Sequence, residues 1–126
     1  MQAAARDYAR VGLFVLDGAK VNGQAIVPDG WFAEATTRRT GIGVPGRGYG
    51  YQWWTYDDGS FAARGIFGQG IFLDPQRKLV IVSNADWAGG ARDPAAGKAR
   101  EDFYRAVQQA VDAEAAATSS PAATAK

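Results

Sequence analysis

The chain has 126 residues, 47% hydrophobic and 21% charged, with a formal net charge of +1. That composition fits one small globular domain, and the near-neutral charge gives no electrostatic argument for nucleic acid or an anionic membrane surface. Cysteine and histidine are both absent, which excludes disulfides, thiolate chemistry, a Ser-His-Asp triad and histidine metal sites within this chain.

The opening residues, Met1 to Asp7, lack the charged-then-apolar layout of a signal peptide, and no apolar run approaches the roughly 20 residues of a membrane span. A cytoplasmic location is therefore the default expectation. Asp7 to Leu16 reads as a helix. Tyr8, Val11 and Val15 recur at helical spacing, Phe14 and Leu16 widen the apolar face, and Gly18 stops it. Ala3, Ala4 and Ala5 stand where a capping Ser, Thr or Asp would serve. A polar turn follows at Asn22-Gly23. Pro28 fits the first turn of a second short helix with Trp31, Phe32 and Ala35 on its apolar side. Arg38 to Gly48, glycine-rich and containing Pro45, reads as a loop without regular structure.

The centre reads as an antiparallel meander. Tyr49 to Tyr56 forms an aromatic strand, Asp57-Asp58-Gly59 a hairpin turn, and Ser60 to Arg64 the returning strand. Ile71-Phe72-Leu73 is a third strand and Asp74 to Lys78 a turn. Leu79-Val80-Ile81-Val82 is apolar throughout, as in a strand buried on both faces, so its expected place is central. Pro94 to about Ala113 reads as a final helix with Phe103, Val107, Ala110 and Val111 on its buried face and Glu101, Arg105 and Gln108 outside. The fold class is thus α+β: a meander of three to four strands flanked by helices in one domain over residues 1–114. Residues 115–126, rich in Ala, Ser, Thr and Pro, are expected to be a disordered tail.

Gly41-Ile42-Gly43-Val44-Pro45-Gly46 has the letters of a dinucleotide fingerprint but the wrong context. No strand precedes it, and Pro45 sits where the phosphate-binding helix should begin. Asp57 and Asp58 read as turn formers rather than paired catalytic carboxylates. The other acids are too scattered for a metal site, and no cofactor is implied. Ala62-Ala63-Arg64-Gly65-Ile66-Phe67-Gly68-Gln69-Gly70 admits two readings. Its glycines could mark a bulged tight hairpin, or a place where something approaches the backbone and a bare N–H meets a developing oxyanion.

Taken together, Arg6-Asp7-Tyr8-Ala9-Arg10-Val11-Gly12-Leu13, Pro28-Asp29-Gly30-Trp31, Tyr49-Gly50-Tyr51-Gln52-Trp53-Trp54, Gly65-Ile66-Phe67-Gly68-Gln69 and Leu79-Val80-Ile81-Val82-Ser83-Asn84 resemble the C-terminal region of the β-lactamase-related serine hydrolases. That family includes class C β-lactamases, esterases and D-Ala-D-Ala peptidases. The resemblance implies a Ser-x-x-Lys nucleophile, a tyrosine that shares proton handling with the lysine, and a third motif, Lys-Thr-Gly or a variant, beside the serine. Here the third motif falls on Ala63-Arg64-Gly65. The resemblance then makes the Ile66 N–H an oxyanion donor with Gly65 allowing close approach, and makes Ala63, Arg64, Phe67, Gln69 and Trp53 candidates for the substrate cleft. Ala63 replaces the motif's lysine, which favours a small amide or ester substrate over a β-lactam.

The nucleophile motif is missing: Ser60, Ser83, Ser119 and Ser120 each lack a lysine three residues on. The expectation is therefore a C-terminal fragment of a serine hydrolase, inactive alone. One alternative is a non-catalytic module that binds through the aromatic strand. The other is one half of a split hydrolase, completed by an N-terminal segment. No nucleic-acid or membrane partner is expected.

Overall fold

The computed structural model describes residues 2–120. Its centre is a six-stranded antiparallel sheet whose spatial order is the chain order: β3 (Thr40–Gly41), β4 (Arg47–Tyr49), β5 (Trp54–Tyr56), β6 (Phe61–Arg64), β7 (Gln69–Asp74) and β8 (Leu79–Asn84). A separate two-stranded hairpin, β1 (Lys20–Val21) and β2 (Gln24–Ala25), turns on Asn22-Gly23. Both turn residues have positive φ, as that tight hairpin requires.

The α+β meander stands, with two more strands than the sequence suggested. The loop read over Arg38 to Gly48 contains β3 and part of β4, paired Thr40↔Tyr49 and Gly41↔Gly48. Glycine and proline confine the irregular part to the tip between these strands. The aromatic segment is two strands rather than one. The Gly50 N–H donates to the Trp53 carbonyl (2.8 Å) and Gln52 takes φ 65°, so the chain reverses and Tyr49 lies opposite Trp54. Gly50 is needed there because a side chain would collide with the Ala35 carbonyl.

Two helices cover opposite faces. α1 (Ala5–Leu16) has no side-chain cap at Ala4, as the alanine run implied, and ends at Gly18 in the left-handed conformation. It rests on β7 and β8 through Gly12, where a Cβ would come within 2.5 Å of Val80 and 3.3 Å of Ile71. Tyr8, Val15 and Leu16 are half-buried, but Val11 faces solvent. α2 (Trp31–Ala35) begins three residues after Pro28, with left-handed Gly30 at its start.

α3 (Pro94–Ser119) packs on the other face. Asp93 caps it, accepting the Ala96 N–H at 3.0 Å. Its buried residues are Tyr104 and Gln108, while Phe103 is 56% exposed. This rotates the face read from hydropathy: Val107 and Val111 stay half-buried and Arg105 exposed as expected, but Phe103 and Ala110 face out while Glu101 and Gln108 turn in, because those polar residues find partners. Gln108 donates to Asp74 (2.8 Å) and Asp58 (3.2 Å), and Glu101 pairs with Arg64 (2.8 Å) and Arg47 (3.0 Å). The helix also runs through residues 115–119, where alanines are strong helix formers, so that part of the expected tail is ordered. Residues 121–126 lie outside the described residues.

Phe72 is the centre of the core, stacked on Tyr104 at 4.3 Å and edge-on to Tyr56 at 5.6 Å, with Ala62 and Ile81 beside it. β8, expected at the centre, is the sheet's last strand. Its apolar run is covered by α1 on one face and packs beside Tyr104 of α3 on the other. Coverage of both faces, which the run does reflect, says nothing about a strand's rank in the sheet.

Candidate functional site

The loop joining β6 to β7 is held by its own ends. The Gly65 N–H donates to the Gln69 carbonyl (2.8 Å), and the Phe67 N–H donates to the Gln69 Oε1 (3.0 Å). Outside neighbours fix the rest: Ser83 Oγ donates to the Gly68 carbonyl (3.0 Å) and the Trp87 N–H to the Phe67 carbonyl (2.9 Å). Gly68, with φ 89°, lies flat against the Trp87 indole, where no side chain would fit. Among the described residues the Ile66 N–H, between these braced positions, has no acceptor.

Beside this loop a cleft of about 440 Å³ opens on the sheet, lined by Tyr8 of α1, Ala63 to Ile66, Gln69 to Ile71, and Ser83 with Asn84. Of the sequence candidates, Gly65, Ile66, Ala63, Arg64 and Gln69 meet here. A Cβ on Gly65 would come within 2.5 Å of the Gln69 amide, so Gln69 as placed leaves no room for a side chain there. Phe67 and Trp53 are not in its lining. Phe67 packs near Gly90, and Trp53 stands edge-on to Phe61 at 5.1 Å. Arg64 contributes to the rim, but its guanidinium is engaged with Tyr56 and Glu101.

Tyr8, Ile71, Ser83 and Asn84 are lining residues that site-by-site reading missed. Their signal was present as structure rather than chemistry. Tyr8 lies on the apolar stripe of α1, and the register Gln69↔Asn84 and Gly70↔Ser83 brings the end of β8 beside the loop. Among the described residues, no carboxylate and no lysine line the cleft. Its one serine, Ser83, is bonded to a backbone carbonyl, with no base beside it. No group of three acidic, histidine or cysteine residues that could hold a metal occurs among the described residues. What the arrangement offers chemically is a backbone donor without an acceptor, on a bare turn beside an apolar cleft.

No protein-family model matches the chain. The comparisons with individual proteins agree with each other. The 6-aminohexanoate-dimer hydrolase of Paenarthrobacter ureafaciens is 33% identical over 98 residues, covering 69% of this chain and 25% of that protein. A solved structure named "Putative 6-aminohexanoate-dimer hydrolase from Bacillus anthracis" superposes with a TM-score of 0.72 at 28% identity, over 87% of this chain and 29% of that one. The fold is therefore that of part of a β-lactamase-like hydrolase. Within that class the chain is similar to the 6-aminohexanoate-dimer hydrolases, and it spans about a quarter of the length of the curated relative it matches.

Proposed function

We propose that this chain supplies the oxyanion side of an acyl-transfer site, and that sequence outside these 126 residues supplies the nucleophile. The observation carrying this reading is the unengaged Ile66 N–H, held on a braced turn beside bare Gly65 at the edge of the cleft. A preorganised N–H of this kind stabilises charge that develops on a carbonyl oxygen as an acyl-serine forms and breaks down. The substrate class is a small amide or ester. The lining is mainly apolar, and Ala63 offers no cation for a carboxylate. The likeness to a named amide hydrolase points the same way. The chain itself contains no Ser-x-x-Lys, so the serine, lysine and tyrosine of the reaction come from a preceding segment, joined in one polypeptide or supplied by a second chain.

The test is complementation. Alone, the purified chain should hydrolyse a p-nitrophenyl ester no faster than buffer does. Mixed with the N-terminal part of a related hydrolase that carries Ser-x-x-Lys, it should restore turnover. Ile66→Pro, which removes the N–H, should then lower kcat by about 10²–10³-fold, the usual effect of losing one oxyanion donor. Turnover by the chain alone, abolished by an active-site serine reagent, would refute the proposal.

A further inference from the structure

A second cavity, of about 420 Å³, lies on the α3 face of the sheet and touches the same loop from behind. Its lining includes Trp54, Trp87, Arg64, Arg100, Asp93 and Gly97. Each arginine is laid over one of the indoles: the Arg64 guanidinium is 5.4 Å from the Trp54 ring centre, and that of Arg100 is 5.0 Å from Trp87. Stacking of this kind holds a guanidinium in place. Arg64 is further tied to Tyr56 and Glu101, so Arg100 keeps the freer donor edge.

Donor capacity remains. The Nε atoms of Arg64 and Arg100 are both buried without a hydrogen-bond acceptor among the described residues, and Arg100 Nε stands 3.6 Å from the Glu101 carboxylate, beyond bonding reach. Charge is left over as well. Arg47, Arg64 and Arg100 all converge on Glu101. Asp93, the acid in the lining, is occupied in part by the Ala96 N–H. The cavity itself is lined by two arginines and one carboxylate, and Glu101 behind it is shared among three arginines, so the excess of positive charge favours an anion. The two indoles, Ile66 and Ala91 require that the anion also carry an apolar, flat body. A free phosphate has no such body.

We propose that this cavity binds a small planar carboxylate, with its ring beside Trp54 and Trp87 and its carboxylate on Arg100, next to the Arg64 charge. The planar fork of a guanidinium matches a carboxylate, and the indoles with Ile66 and Ala91 give its ring an apolar wall. The proposal stands apart from the hydrolase reading, since it needs neither the nucleophile nor the Ile66 N–H. Gly97 provides a clean probe of location. It lines the cavity, and a Cβ there would meet nothing within 4 Å.

The full chain, labelled with nitrogen-15, is titrated with benzoate and with its neutral isostere benzamide while the indole N–H signals of Trp54 and Trp87 are followed. Benzoate should shift both signals saturably, and benzamide should bind about tenfold more weakly because it forgoes the charge-assisted bonds. Arg100→Gln should erase that preference. Gly97→Leu should abolish benzoate binding without lowering the melting temperature, since leucine is the better helix former and extends into open space. Equal binding of benzoate and benzamide, no saturable shift with benzoate, or benzoate binding that survives Gly97→Leu would each overturn the proposal.

Discussion

Asp58 and Tyr56 sit two residues apart and respond to pH in opposite directions. Burial pushes the Asp58 carboxyl up, but bonds from Ser60 and Gln108 together with the charge of Arg105 outweigh it, so its pKa lies below the ordinary 3.8. Its contribution to stability is complete above pH 3.8 and disappears as pH falls through the lower folded value. Asp58→Asn should therefore be less stable than the parent at pH 7, and the two should converge near pH 2 in denaturant titrations. For Tyr56, burial dominates and raises the phenol to about 12, with the nearby Arg64 charge opposing. Stability is intact below pH 10.0 and is lost as pH climbs toward 12, so thermal melts should show an alkaline decline that Tyr56→Phe reduces. Phe72, packed between Tyr56 and Tyr104, carries the largest packing contribution. Phe72→Ala should cost about 3–5 kcal/mol, measured by denaturant unfolding, because its stacked neighbours cannot close the gap.

Among the elements, α1 and β8 show how close contact and exposure coexist. Gly12 lets the helix approach Val80 and Ile71, so Gly12→Val should force the two apart at a cost of about 1–3 kcal/mol in thermal or chemical unfolding. The outer edge of β8 pairs with no strand among the described residues, and its sequence is Leu-Val-Ile-Val. Such an edge is a template for pairing. Sedimentation velocity should show the chain self-associating as concentration rises, and a charge at the edge, Val82→Lys, should reduce it. The sequence made the presence of these elements legible and left their placement obscure. Helical spacing located α1 and α3, and the Asp-Gly turn located the β5–β6 hairpin. The face of α3 was misread because Gln108 and Glu101 count as polar until their partners on the sheet are known. The aromatic segment was misread because its reversal depends on Gln52 at φ 65°, a conformation glutamine seldom signals.

At the scale of the whole molecule, the candidate site was legible in part for the same reason. The run Gly65-Ile66-Phe67-Gly68-Gln69 is contiguous, so its chemistry could be read directly. Tyr8, Ser83 and Asn84 reach the cleft from segments far apart in the chain, and no local pattern announces such a meeting. The sheet that brings them together has strand order identical to chain order, from β3 to β8. Every pairing therefore closes through a short turn, and each strand can zip onto the one just made. Little loop entropy stands in the way of the next step. Refolding followed by tryptophan fluorescence should accordingly be rapid, on the order of milliseconds, with the remote contacts between α1 and β8 forming last.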